Sequence, residues 1–123
     1  MTHGRIVGIG VDLVGIERFQ RLGERTDGLL ARLFDVSELP AGPTHKATPW
    51  ARLAAAFALK EATLKAIGVP TGFTWHDIVV TPSGTIELRG STLLAATDLG
   101  VREWQATSTR RAGHAVATAI ALG

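Results

Sequence analysis

At 123 residues the chain has room for one modest domain, and 46% hydrophobic with 20% charged residues is a globular balance that argues against disorder. The formal net charge of +2, with basic residues spread along the chain, is too weak for nucleic-acid binding; it suits an acidic partner or a phosphorylated ligand. With no cysteine there is neither a disulfide framework nor thiolate or cysteine–zinc chemistry, and His3, His45, His76 and His114 lack the paired spacing of a zinc site.

The first element is a strand. Arg5 to Leu13 is β-branched and punctuated by glycine, with Gly8, Gly10 and Asp12 on one face and Val7, Ile9 and Val11 on the other. The apolar run Ile6 to Ile16 is too short to cross a bilayer, contains Asp12 and lacks the flanks of a signal peptide, so a cytoplasmic protein without membrane contact is expected. Ile16, Phe19, Leu22, Leu29, Leu30, Leu33 and Phe34 then recur at helical spacing, with a break near Asp27-Gly28. Residues 36–47, with two prolines and a glycine, read as a loop.

A long helix follows, with Thr48 as N-cap, Pro49 in the first helical position and Gly68 as its stop. Its expected apolar stripe is Trp50, Leu53, Phe57, Leu64 and Ile67. Strands are expected over His76–Thr81 and Thr85–Arg89, around a Pro82-Ser83-Gly84 turn. Ser91 or Thr92 should cap a short helix ending at Gly100, and strands Arg102–Ser108 and His114–Leu122 close the chain. The order predicts a single α+β domain with a mainly antiparallel sheet.

Two places offer chemistry. Asp12 sits late in an apolar strand, where a carboxylate is costly unless it is paired, protonated or bound to a cation; the neighbouring glycines leave room for a ligand. The alternative is an aspartate capping the next helix. A dinucleotide-binding reading of Gly8-Ile9-Gly10 fails, because Leu13 replaces the third glycine and no parallel βαβ pattern follows. Glu61, in Lys60-Glu61-Ala62-Thr63-Leu64-Lys65, falls at the edge of the apolar stripe, where it either faces a cleft or forms a solvated pair with Lys65. Taken together, two carboxylates flanked by lysines permit a Mg²⁺–phosphate site.

The segment Gly8-Ile9-Gly10-Val11-Asp12-Leu13-Val14-Gly15-Ile16-Glu17-Arg18-Phe19 resembles the opening signature of the holo-acyl-carrier-protein synthases, the short 4'-phosphopantetheinyl transferases. Phe57-Ala58-Leu59-Lys60-Glu61-Ala62-Thr63-Leu64-Lys65-Ala66 resembles their second signature, at the family's separation. The resemblance implies a 4'-phosphopantetheinyl transferase-like fold and transfer of phosphopantetheine from coenzyme A to a serine of an acyl or peptidyl carrier protein. It implies Asp12 and Glu61 as Mg²⁺ ligands, with Asp12, Glu61 and Lys65 catalytic. Lys60, Lys65, Arg52, Gly68, Ser83, Gly84, Thr107 and Arg110 fall where coenzyme A would be gripped, and Arg18 where the carrier protein would dock. It further implies a homotrimer with coenzyme A in clefts between subunits.

The chain departs from the family's pattern where the nucleotide would be held. Ala56 stands in place of an arginine, with Arg52 one turn earlier. Ser83-Gly84-Thr85 replaces a turn with a basic residue, and Gln105-Ala106-Thr107-Ser108-Thr109-Arg110 lacks two histidines. These departures leave two further readings open: a non-catalytic or repurposed homologue that binds carrier protein or acyl-coenzyme A, and acid–base chemistry on a carrier-bound substrate by Asp12 or Glu61.

Overall fold

Strand β1, Ile6–Gly15, runs antiparallel to β5, His114–Leu122, which pairs on its other side with β4, Glu103–Arg111. These three strands form one antiparallel sheet in the order β1-β5-β4 in a computed structural model that describes residues 4–40 and 48–123. The β4–β5 hairpin turns through Ala112 (φ 52°) and Gly113 (φ 78°), two consecutive left-handed residues of the kind a two-residue hairpin loop demands. Strand β4 runs on through Arg110 and Arg111, three residues past the end expected at Ser108. A second, two-stranded sheet pairs β2, Ile78–Val80, with β3, Ile86–Leu88.

Between β1 and β2 lie α1 (Ile16–Arg25), α2 (Leu29–Leu33), a 3₁₀ turn at Val36–Glu38 and the central helix α3 (Trp50–Ile67). The break between α1 and α2 falls at Gly28, whose φ of 75° no continuing helix allows. The loop expected over 36–47 is described only as far as Pro40, and its remainder, with His45, lies outside the described residues, as does His3. Thr48 does not cap α3 with its side chain. Pro49 takes the N-cap position, and the Thr48 carbonyl accepts from the Trp50 N–H at 2.8 Å. Gly68, with φ 82°, ends the helix as expected. Helix α4, Gly90–Asp98, starts one residue after Arg89, so Ser91 and Thr92 lie inside it; their hydroxyls bond Asp77 and, for Thr92, also the Arg89 carbonyl.

Helix α3 is more enclosed than a single stripe implies. Leu53, Ala54, Ala58, Leu59, Ala62, Thr63 and Leu64 are all buried, while Trp50, Phe57 and Ile67 are only half-buried. Its alanines join Ala115, Ala117 and Ala119 of β5 in one core cluster, and small side chains let helix and sheet approach closely. The approach is closest at β1: a Cβ on Gly8 would land on the Ala66 carbonyl oxygen, and one on Gly10 on that of Ala62. The glycines therefore admit the backbone of α3 and not, as expected, the atoms of a ligand. The opposite face of the sheet is open, with Ile9, Val11 and Leu13 54%, 55% and 61% exposed.

Candidate active site

The close contact of β1 with α3 sets Asp12 beside the last two turns of the helix. Asp12 lies in mid-strand, with Gly15 at the N-cap of α1, so it does not cap that helix. Its Oδ1 accepts from the Lys65 Nζ at 2.6 Å, and Lys65 also donates to the Val11 carbonyl at 3.2 Å. Lys65 thus reaches across to β1 and does not form the expected surface pair with Glu61.

Glu61 is half-buried beside Asp12. Burial, and after it the Asp12 carboxylate, push the Glu61 carboxyl above the usual range, while Lys65 pulls the other way. Lys65 is held more firmly protonated than an ordinary lysine, chiefly by its hydrogen bond to Asp12. The structure therefore brings together the three residues expected to be catalytic. Two carboxylates that crowd each other are a donor set suited to a hard cation, which would relieve their repulsion. Among the described residues no group of three or more His, Asp or Glu could complete a metal cage. A cation here would draw its other oxygens from water and substrate, the usual arrangement for Mg²⁺ with phosphates.

A groove of about 380 Å³ opens beside Glu61, lined by Leu13, Val14, Arg18, Phe19, Leu22 and Phe57. The expected docking residue, Arg18, therefore borders the same groove as the expected catalytic carboxylate. The Phe19 and Phe57 rings stack behind it, 5.6 Å between centroids.

Four of the residues expected to grip coenzyme A divide between two hollows elsewhere. Arg52 and Arg110 meet across a pocket of about 210 Å³, whose lining also includes Glu38, Ala56, Thr81 and Ser108. Gly84 and Thr107 line a neighbouring hollow of about 410 Å³. The division falls along β4, with Trp104 to Thr107 on one hollow and Ser108 to Arg110 on the other. Ser83 sits in the turn between them, its hydroxyl 3.0 Å from that of Thr81, and Gly68 lines neither hollow. Nine residues separate Arg52 from Glu61 on α3, which at about 100° each sets them on opposite faces of the helix.

Lys60 is corrected. Its side chain is fully buried, and its Nζ donates to Leu33 O at 2.8 Å, Glu38 Oε1 at 2.7 Å and Trp75 O at 3.3 Å, below the Phe34 ring. An ammonium has three donors, and all are taken by protein, so none is left for coenzyme A. Its partner Glu38 went unnoticed in the sequence, inside what reads as a loop. The signal was Asp35-Val36-Ser37-Glu38, the spacing of a capping box, which forms here: Glu38 accepts from the Asp35 N–H, and Asp35 from Ser37.

Comparison with known proteins agrees with the signatures. The family described as the 4'-phosphopantetheinyl transferase superfamily matches residues 8–119. The chain is 43% identical over 121 residues to the holo-[acyl-carrier-protein] synthase of Arthrobacter sp. (strain FB24), covering 96% of this chain and 99% of that one. The holo-ACP-synthase of Plasmodium yoelii shares its fold, with a TM-score of 0.84 at 23% identity over 99% of this chain and 98% of that one. The holo-[acyl-carrier-protein] synthase of Helicobacter pylori, solved in complex with coenzyme A, superposes with a TM-score of 0.69 at 25% identity over 92% of this chain and 98% of that one. The chain belongs to the 4'-phosphopantetheinyl transferase superfamily and, within it, to the holo-acyl-carrier-protein synthases that its two signatures resemble. It is an enzyme of the transferase class, and the expected α+β fold is the one observed.

Proposed function

We propose that this enzyme transfers 4'-phosphopantetheine from coenzyme A to a serine of an acyl or peptidyl carrier protein, with Mg²⁺ held between Asp12 and Glu61. The observation that carries the proposal is the convergence of Asp12, Glu61 and Lys65 beside a groove that also holds Arg18. The serine oxygen forms a bond to the β-phosphorus of coenzyme A. The bond from that phosphorus to the bridging oxygen breaks, and adenosine 3',5'-bisphosphate leaves. Magnesium, when bound, supplies positive charge against the pyrophosphate oxygens.

The chain's own residues do the remaining work. Asp12 and Glu61 fix where the cation sits, each on an element locked to the other by main-chain contact. Lys65, about half exposed, offers a second positive charge to the departing phosphate. A water held at the Glu61 carboxylate would relay the serine proton to that carboxylate, and Arg18 draws an acidic carrier surface to the groove. Catalysis is then mainly positioning and charge stabilisation.

A homotrimer belongs to the same proposal. The exposed Ile9, Val11 and Leu13 face is what a second copy would cover. Arg52 and Arg110 lie on the far side of α3 from Glu61, so a donor gripped by the arginines of one copy meets the carboxylates of another. The test is to incubate the enzyme with coenzyme A, Mg²⁺ and apo carrier proteins and weigh the carriers. A phosphopantetheine mass gain that chelation abolishes and Mg²⁺ restores is expected. No gain on any carrier, with a known transferase succeeding alongside, would refute the proposal.

A further inference from the structure

The pocket between Arg52 and Arg110 has three sides. Its floor is α3, through Arg52, Ala55, Ala56 and Leu59; one wall is β4, through Ser108 to Arg110; the other is the chain from Val80 to Pro82, with Glu38 beside it. The floor and the first wall are joined by extensive packing of α3 on the three-stranded sheet. The second wall belongs to the small separate sheet and is tied to α3 differently. Glu38 Oε2 accepts from the Val80 N–H at 3.0 Å, while Glu38 Oε1 accepts from Lys60 at 2.7 Å, next to Leu59 in the floor. Lys60 also fastens the end of α2 and the segment before β2, through Leu33 O and Trp75 O.

We infer that the Lys60–Glu38 pair is a positioning device for donor binding: Glu38 borders the pocket with both its oxygens already taken by protein donors, and the pair sets the Val80–Pro82 wall against Arg52 and so tunes the grip on coenzyme A. The inference rests on the proposed transfer reaction. A buried ion pair is weak ground for stability, since two apolar or neutral groups of equal volume often serve as well. What such a pair supplies here is direction. Its bonds run from the pocket floor to the main-chain N–H of Val80 in the second wall, and no bond runs toward Asp12 or Glu61. Disturbing it should therefore change affinity for the donor and leave the chemical step alone.

The experiment compares the parent with Lys60→Met/Glu38→Gln and with Glu38→Asp. The first removes both charges at similar volume; the second keeps the pair but shortens its reach to Val80. Coenzyme A binding is read by calorimetry, and turnover by steady-state kinetics against both substrates. In variants whose melting shows a folded chain, coenzyme A affinity should fall about fivefold or more while kcat stays within about twofold and carrier KM is unchanged. If the double variant does not fold, Glu38→Asp carries the test alone. Unchanged coenzyme A affinity in a folded variant overturns the inference in favour of a purely structural pair. A fall in kcat at unchanged affinity overturns it in favour of a role in chemistry. A parent that neither binds coenzyme A nor transfers refutes the underlying reaction, and this inference with it.

Discussion

Two lysines five residues apart on α3 make ion pairs of nearly equal length, 2.7 Å for Lys60 with Glu38 and 2.6 Å for Lys65 with Asp12, yet they work in different media. The Lys60 side chain has no exposure, and every donor on it is used by protein; the Lys65 side chain is 54% exposed and can exchange its partner for a ligand. Distance alone does not distinguish a strut from a working charge. Solvent access does, because a buried ion that loses its partner is left uncompensated, whereas an exposed one is taken up by water.

That contrast can be broken most sharply on the Lys65 side, in activity. Asp12→Ala and Glu61→Ala should each lower transfer by on the order of 100-fold or more while the melting transition survives. Transfer at the parent rate in either variant, in Mg²⁺ buffer, would remove the carboxylates from the mechanism. On the Lys60 side the large effect is on folding. Lys60→Ala should destabilise by about 3–5 kcal/mol in denaturant titration, since it strands the Glu38 carboxylate among buried groups. Lys65→Ala should leave the unfolding midpoint close to the parent's. Equal midpoints for the two variants would erase the distinction.

A third variant tests the contact that holds Asp12 beside Glu61. Gly10→Ala would place a methyl 2.7 Å from the Ala62 carbonyl carbon, so β1 or α3 must shift. Overpacking of this sort costs about 1–3 kcal/mol, and activity should fall further than stability alone accounts for, because Asp12 moves relative to Glu61.

The smallest expected effect is on pH dependence, where the two lysines have opposite signs. Burial lowers the Lys60 pKa below 10.5, with Glu38 only partly offsetting it. Between that lowered value and 10.5 the unfolded chain binds more protons at this site, so its contribution to stability rises with pH. Lys65 is raised above 10.5 by Asp12, so its contribution is complete below 10.5 and is lost as pH climbs through the raised value. Unfolding free energies from roughly pH 8 to pH 11, parent minus Lys60→Met/Glu38→Gln and parent minus Lys65→Met, should slope upward and downward respectively. Slopes of the same sign would contradict the assignment.

Much of this was legible in the sequence because it rests on local patterning. The strand at Ile6, the break at Gly28, the end of α3 at Gly68 and the closing hairpin each have short-range chemical signals, and the structure places them within a few residues. Asp12, Glu61 and Lys65 were legible through two signatures. What escaped was long-range. No spacing in the sequence says that Lys60 meets Glu38 across 22 residues, so a lysine beside Glu61 in the second signature read as a ligand-facing charge. Gly8 and Gly10 read as space for a ligand because the helix that fills it lies more than fifty residues away in sequence. The capping expected of Ser91 and Thr92 failed for a related reason: Asp77 claims both hydroxyls.

The meeting of β1 and α3 has a mechanical consequence. Where Gly8 and Gly10 face Ala66 and Ala62, no side chain stands between the two elements, and carbonyl oxygens bear directly on α-carbons. Such a joint behaves as a hard stop. Its spacing is set by the radii of main-chain atoms, which are the same in every protein, and not by side chains that drift. Core residues elsewhere can be exchanged, and the outer sheet face can adapt to a new neighbour, while the separation of Asp12 from Glu61 keeps its tolerance.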